Sequence, residues 1–169
     1  MKPLFTMLAG YNAWCNRRLY DAASELSDED YRADRGAFFK SLHGTLNHIL
    51  VADRIWLRRF TGEGDAPTRL DAILFDELEH LRQAREAEDA RIVAYVDRLS
   101  ESDLSGPIRY NLISRPETVE QPLAPALLHF FNHQTHHRGQ AHCILTGFGR
   151  EAPSLDLVPF QRETGMGMA

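Results

Sequence analysis

Apolar residues at Leu4, Met7, Leu8, Tyr11, Trp14 and Leu19 follow the period of an amphipathic α-helix, and that period returns along most of the chain. A first helix is predicted to run to about Ala23. Ser27, in "LSDEDY", reads as the N-cap of a short turn. Ser41 reads as the N-cap of a second helix over 42–61. Leu42, Leu46, Ile49, Leu50, Ile55, Trp56 and Phe60 cover more than one face of it, so it should be largely buried. Gly62, Gly64 and Pro67 then form a loop. A third helix is predicted over 71–99, with Leu74, Leu78 and Leu81 on its apolar stripe. Glu77, Glu79, Arg82, Arg85, Glu86 and Glu88 are spaced to pair along an exposed face.

Residues 104–121 change character. Ile108, Tyr110 and Leu112 alternate, and Val119 follows Pro116, a pattern that reads as a short β-like hairpin. A fourth helix should start near Leu123, with Pro122 and Pro125 tolerated in its first turn, and end near Thr146 with Gly147 as its cap. The tail "APSLDLVPFQRETG" suits one short helical turn. The expected fold class is all-α: a four-helix bundle with one elaborated, hairpin-containing connection before the fourth helix. At 169 residues the chain suits a single domain over 1–169.

Charge and composition narrow the function classes. The net charge of -5 and the absence of a long basic patch argue against nucleic-acid binding; Arg17-Arg18 and Arg58-Arg59 are short clusters that read as solvated faces. No apolar run approaches the roughly 20 residues of a membrane span, and the first residues lack the pattern of a signal peptide. Cys15 and Cys143 form no C-x-x-C motif and are expected to be free thiols in a reducing cytoplasm. Helices with more than one apolar face leave surface for a homodimer.

The segment "HFFNHQTHHRGQ", residues 129–140, concentrates imidazoles on one helix. His129, His133 and His137 fall on one stripe, with His136 and Gln140 beside it and His142 on the opposite side. His129 and His137 are about 12 Å apart along the axis, too far to share one ion, so the pairs open to chelation are 129/133, 133/137 and 133/136. A third ligand must come from another helix. His43, His48 and His80 are the candidates, and only His48 lies in an apolar stretch, "TLNHILVADRIW". There is no H-E-x-x-H, so a built-in carboxylate base of the metalloprotease type is missing. Gly139 inside the helix suggests close packing against a neighbour, Arg138 an ion pair, and Tyr11 and Trp14 core aromatics, with Tyr11 a candidate for the pocket mouth.

"YNAWCNRRL", "LNHILVADRIWLRRFTG", "LLHFFNHQTHHRGQAHCILTGFG" and the tail "EAPSLDLVPF" resemble, in order and spacing, the DinB-like damage-inducible family. Its bundle is shared with mycothiol-dependent maleylpyruvate isomerases and bacillithiol transferases. The resemblance implies three metal ligands, His48, His133 and His137, and a divalent ion, nickel or zinc. His129, His136, Gln140, Asn47 and Tyr11 become pocket-lining or ligand-orienting candidates. It also implies an open metal position serving a thiol-dependent transferase or isomerase that acts on small electrophiles, with a low-molecular-weight thiol as cofactor. The alternatives are a metal-dependent hydrolase using metal-bound hydroxide, with His129 or His136 as base, and a non-catalytic metal-bound stress-response or small-ligand-binding protein. Ligands with the ordinary imidazole pKa of about 6.5 would release the metal below roughly pH 6.

Overall fold

The computed structural model describes residues 1–113 and 115–168. Lys2–Ala23 forms α1, with proline in its first turn, where a missing N–H costs nothing. Asp28–Arg32 forms α2 behind Ser27, whose side chain accepts from the Asp30 N–H. Leu42–Thr61 forms α3; Ser41 caps its start through the Gly44 N–H, and Gly62 ends it in the left-handed region. Leu78–Arg98 forms α4 and Glu101–Ser105 forms α5, the latter closed by a reciprocal capping box of Ser100 and Asp103. Strands β1 (Pro107–Asn111) and β2 (Thr118–Pro122) pair antiparallel, with Tyr110 opposite Val119. Ser114, inside the hairpin reading, lies outside the described residues. Leu123–Gly147 forms α6 and Leu157–Thr164 forms α7, two turns where the sequence suggested one.

The third long helix starts later than its periodicity suggests. Residues 71–77 are not helical, although Leu74 is in phase with Leu78 and Leu81. The reason is a competing acceptor: the Asn47 side-chain oxygen takes the N–H groups of Leu74 and Phe75, at 2.8 and 3.1 Å. The Asn47 amide returns a bond to the Phe75 carbonyl at 3.1 Å. The segment is therefore strapped across α3, and the helix begins only where the backbone is released.

Helices α1 and α3 each pack against both α4 and α6, which closes the four-helix arrangement. Its interior is layered. One apolar cluster gathers Phe5, Trp56, Ile92, Leu127 and Phe130 toward the hairpin end. Another gathers Leu19, Leu46, Leu50, Leu81 and Ile144 toward the opposite end. Between them lies a buried polar layer: Asn12 and Asn16 from α1, Asp53 from α3, Arg85 and Asp89 from α4, Gln134 and Arg138 from α6. Arg85 and Glu88, expected on the exposed face of the third helix, are thus buried. A carboxylate on the facing helix, Asp53, receives Arg85.

Candidate metal centre

His48 is carried by the capped, buried α3, and His133 and His137 by successive turns of α6, which packs against it. The three rings converge. His137 Nε2 lies 3.2 Å from His48 Nε2 and 3.1 Å from His133 Nε2. One ligand atom from each residue lies within 4.8 Å of the other two.

The surrounding bonds fix which nitrogens carry protons. The Leu70 carbonyl lies 2.7 Å from His48 Nδ1, and a carbonyl can only accept, so the hydrogen of a neutral His48 sits on Nδ1. The Gln140 side-chain oxygen lies 2.8 Å from His137 Nδ1 and fixes that ring in the same way. The other end of the Gln140 amide, its Nε2, faces His136 Nε2 at 3.3 Å. His48 Nε2 and His137 Nε2 are then two lone pairs pointed at each other with no hydrogen between them. A cation placed among the three nitrogens resolves that repulsion. Two nitrogens about 2.0–2.1 Å from one ion stand about 3.3 Å apart at a tetrahedral angle and about 2.9 Å apart at a right angle. The two separations from His137, 3.2 Å to His48 and 3.1 Å to His133, lie between these values. Three histidines are therefore positioned to hold a metal ion.

A proton is a poor substitute in this setting. Burial, the largest cause, pushes His48 down to about 4, and the neighbouring His137 adds to it. Burial also pushes His133 down to about 3, with His137, His48, His129 and His136 contributing. His137 is lowered by burial too, although its bond to Gln140 opposes the shift. The ordinary imidazole pKa expected from sequence thus does not hold here: His48 and His133 are neutral well below pH 6, and His137 is shifted in the same direction.

Phe39 completes one wall. Its ring stacks on His48 at 3.7 Å between centroids and an interplanar angle of 16°. A glycine puts it there. A Cβ at Gly44 would collide with the Phe39 carbonyl, so the 36–41 loop can cross the start of α3 only because position 44 has no side chain. Neither Phe39 nor the Leu70 carbonyl was legible in the sequence, since every residue has a carbonyl and "AFFK" carries no motif.

The remaining candidates separate. His129 sits at the edge, its ring 6.1 Å from His133 and 5.1 Å from Trp56. His136 and Gln140 border the cluster and open onto a cavity of about 590 Å³ that also includes Cys143, an exposed free thiol. Asn47 forms no hydrogen bond to the three imidazoles; it holds the strap that follows Leu70, whose carbonyl orients His48. Tyr11 is not at this site. Its hydroxyl donates to the Leu155 carbonyl and its ring packs with Trp14 and Phe160. Arg138, expected in an ion pair, donates instead to Asn12 and Thr135 and lies over the Tyr11 ring. Of the other histidines, His43 bonds the Phe75 carbonyl and His80 is exposed, so neither joins the triad.

Comparison with known proteins follows this geometry. The DinB family pattern matches residues 1–167. The chain belongs to the DinB family. A curated relative, Protein DinB of Bacillus subtilis (strain 168), is 26% identical over 155 residues, covering 86% of this chain and 87% of the relative. Among solved structures, a DinB-like protein from Bacillus cereus ATCC 10987 superposes with a TM-score of 0.62 at 19% identity, over 83% of this chain and 89% of that one. A DinB-like protein from Bacillus subtilis gives a TM-score of 0.61 at 16% identity, over 88% and 97% of the two chains. At those identities the structures speak for the DinB fold alone. No described helix is long and apolar enough to cross a membrane.

Proposed function

We propose that this DinB-family chain is a divalent-metal-dependent enzyme in which His48, His133 and His137 hold nickel or zinc and a small thiol reacts with an electrophile at the open position. One observation carries the reading: the lone pairs of His48 Nε2 and His137 Nε2 face each other at 3.2 Å, with their tautomers pinned from behind. Three neutral ligands would leave the full charge of a divalent ion in place, and such an ion would supply a lowered pKa to a bound thiol, favouring its thiolate form.

The chain's own groups supply the rest. The Leu70 carbonyl and Gln140 hold two of the rings in line. Phe39 covers one face of His48 and keeps water from it. His129 stands at the edge of the cluster, and burial and the nearby Arg59 lower its pKa, so it is neutral and free to take the thiol proton at neutral pH. The hydrolase alternative would rely on His129 or His136 as its base, because no carboxylate joins the cluster among the described residues. Asp53 is already engaged by Arg85 and Gln134. A cytoplasmic location and a homodimer belong to the same reading. Leu4 and Leu128, each 60% exposed on the adjoining helices α1 and α6, offer apolar surface for a second copy. Light scattering at micromolar concentration tests the dimer.

The deciding experiment is metal analysis of untagged protein, followed by thiol-transfer assays with model electrophiles, with and without added metal. Stoichiometric metal and metal-dependent transfer are expected. A chain that neither carries nor takes up nickel or zinc would sink the proposal, and a metal-loaded chain inert toward every thiol would leave metal binding without this chemistry.

A further inference from the structure

Three arginines converge on a cavity of about 610 Å³ between the C-terminal part of α3 and the hairpin: Arg58, Arg59 and Arg109, beside Ile55, Thr68 and Tyr110. Among the described residues, no carboxylate oxygen comes within 4 Å of any of the three; the ion pairs form elsewhere. In a chain with 24 acidic and 19 basic residues, three uncompensated cations around one cavity run against the overall balance. Glu63 and Asp65 lie in the loop that lines the cavity but form no ion pair with the three. Glu120 faces Arg109 in the hairpin register but forms no ion pair. Asp103 borders the adjoining cavity, which shares Arg59 and Arg109, and its carboxylate is taken by the backbone N–H and hydroxyl of Ser100.

Donors remain available. Each guanidinium carries five N–H groups. Arg58 gives one to the Gly64 carbonyl and Arg59 one to the Asn111 carbonyl at 3.0 Å. Arg59 also lies over two aromatic rings, 4.6 Å from the Trp56 ring centroid and 4.7 Å from that of Tyr110. An arginine fixed in this way presents its fork with little ordering left to do.

The cavity also points toward the triad. Ile55 lies two turns beyond His48 on the same helix, about 10 Å along its axis. Ring contacts step from Tyr110 to Trp56 at 5.0 Å, to His129 at 5.1 Å and to His133 at 6.1 Å.

We propose that this cavity is an oxyanion subsite, which takes the carboxylate or phosphate end of an organic ligand whose reactive end reaches the histidine triad. The ligand then spans on the order of 10 Å. The span rests on the proposed metal site, whereas the anion site stands by itself.

The test is calorimetric titration of the metal-free full chain at low salt with two probes, glutarate and inorganic phosphate. Saturable binding near millimolar is expected for at least one, and the tighter probe names the anionic group. Arg109→Gln, an exposed strand residue, should weaken binding at least about fivefold, while Arg17→Gln on α1 and His133→Ala leave it unchanged. Absence of saturable binding overturns the proposal, as does an unchanged affinity in both Arg109→Gln and Arg59→Gln. Equal weakening by Arg17→Gln would mean diffuse charge, and loss in His133→Ala would place the anion on the triad; either also overturns it. Because no arm needs metal, failure here is distinct from failure of the metal reading.

Discussion

His133 and Gln134 are neighbours on α6, yet they serve two polar regions built on opposite principles. Gln134 turns inward and donates to Asp53, which also receives Arg85. Arg85 reaches Asp89 at 3.0 Å, and Asp89 in turn accepts from Asn12 and Asn16. Opposite charges and amides thus compensate one another within the layer. His133 turns to the triad, where like groups meet and the lone pairs of His48 Nε2 and His137 Nε2 face each other with no hydrogen between them. The first region balances its charges within the fold, leaving Arg85 Nε and Gln134 Oε1 as its unpartnered buried atoms among the described residues, and the second is positioned to hold a metal ion. A buried compensated pair adds little net stability but is costly to halve, whereas an uncompensated cluster of neutral donors marks a ligand site.

The sharpest break between the two comes from deleting a ligand. His137→Ala should abolish measurable metal uptake, whereas His142→Ala, on the other side of α6, should leave it intact. The metal-free stability of both variants should stay close to that of the parent chain. Metal content by mass spectrometry and urea unfolding of the metal-free forms check this. Equal metal loss in both variants would dissolve the distinction.

Deleting a member of the layer should act the other way round. Asp53→Ala leaves Arg85, 1% exposed, with Asp89 alone and takes the acceptor from Gln134, and should cost about 3–5 kcal/mol of unfolding free energy. The folded fraction should still take up metal stoichiometrically. Chemical denaturation reads the first effect and metal analysis of the folded fraction the second; a loss below 1 kcal/mol would mean that Arg85 finds another partner.

Between these stands Gln140→Ala, which removes the acceptor behind His137 but no ligand. A loss of about 10–100-fold in metal affinity is expected, with metal-free stability changed by less than about 0.5 kcal/mol. Competition with a chromophoric chelator measures it. Unchanged affinity would show that the ring needs no such support.

The two regions also titrate with opposite signs. His48 and His133 have folded pKa values of about 4 and about 3, below the usual 6.5, so the unfolded chain binds more protons than the folded one between those limits. Their contribution is complete above pH 6.5 and is lost as pH falls. Asp53 is raised by burial to about 6 from 3.8, against the pull of Arg85 and Gln134, so its contribution is lost as pH rises through that window. Two histidines outweigh one carboxylate, and metal-free stability should decline from pH 6.5 toward 4. Protons reach His48 and His133 only near the lower limit, so the melting-temperature advantage of metal-loaded over metal-free protein should persist at pH 5 and collapse nearer pH 4. Collapse already at pH 6 would mean that the imidazoles titrate as if exposed.

How much of this was legible in sequence follows from the range of each signal. The Ser41 cap, the Gly62 stop and the four-residue step from His133 to His137 are local, and each is found where the residues themselves put it. The convergence of His48 is not local; the motif resemblance supplied it where spacing left His43 and His80 open. The buried layer escaped altogether. Arg85 and Glu88 at helical pair spacing look the same whether they meet solvent or Asp53 on a facing helix. Residues 71–77 were misread for a similar reason: periodicity records side chains, while Asn47 captured the backbone N–H groups.

The smallest effect lies at Gly139, between the two regions on α6. The expectation of close helix packing fails there, because a Cβ at this position meets nothing within 4 Å. The glycine thus carries the helix-interior penalty of about 1 kcal/mol relative to alanine without a packing reason. It borders the cavity that contains His136, Gln140 and Cys143, so its missing side chain leaves room beside the triad rather than against a helix. Gly139→Ala should therefore raise stability by about 0.5–1 kcal/mol and leave metal affinity unchanged, since no ligand or orienting bond is touched. Thiol transfer, if the reactants use that cavity, should weaken while metal content holds. A variant that is destabilised would show that the helix needs glycine here after all, and one that is stabilised with full activity would move the reactants to the other side of the triad, toward Trp56 and Arg59.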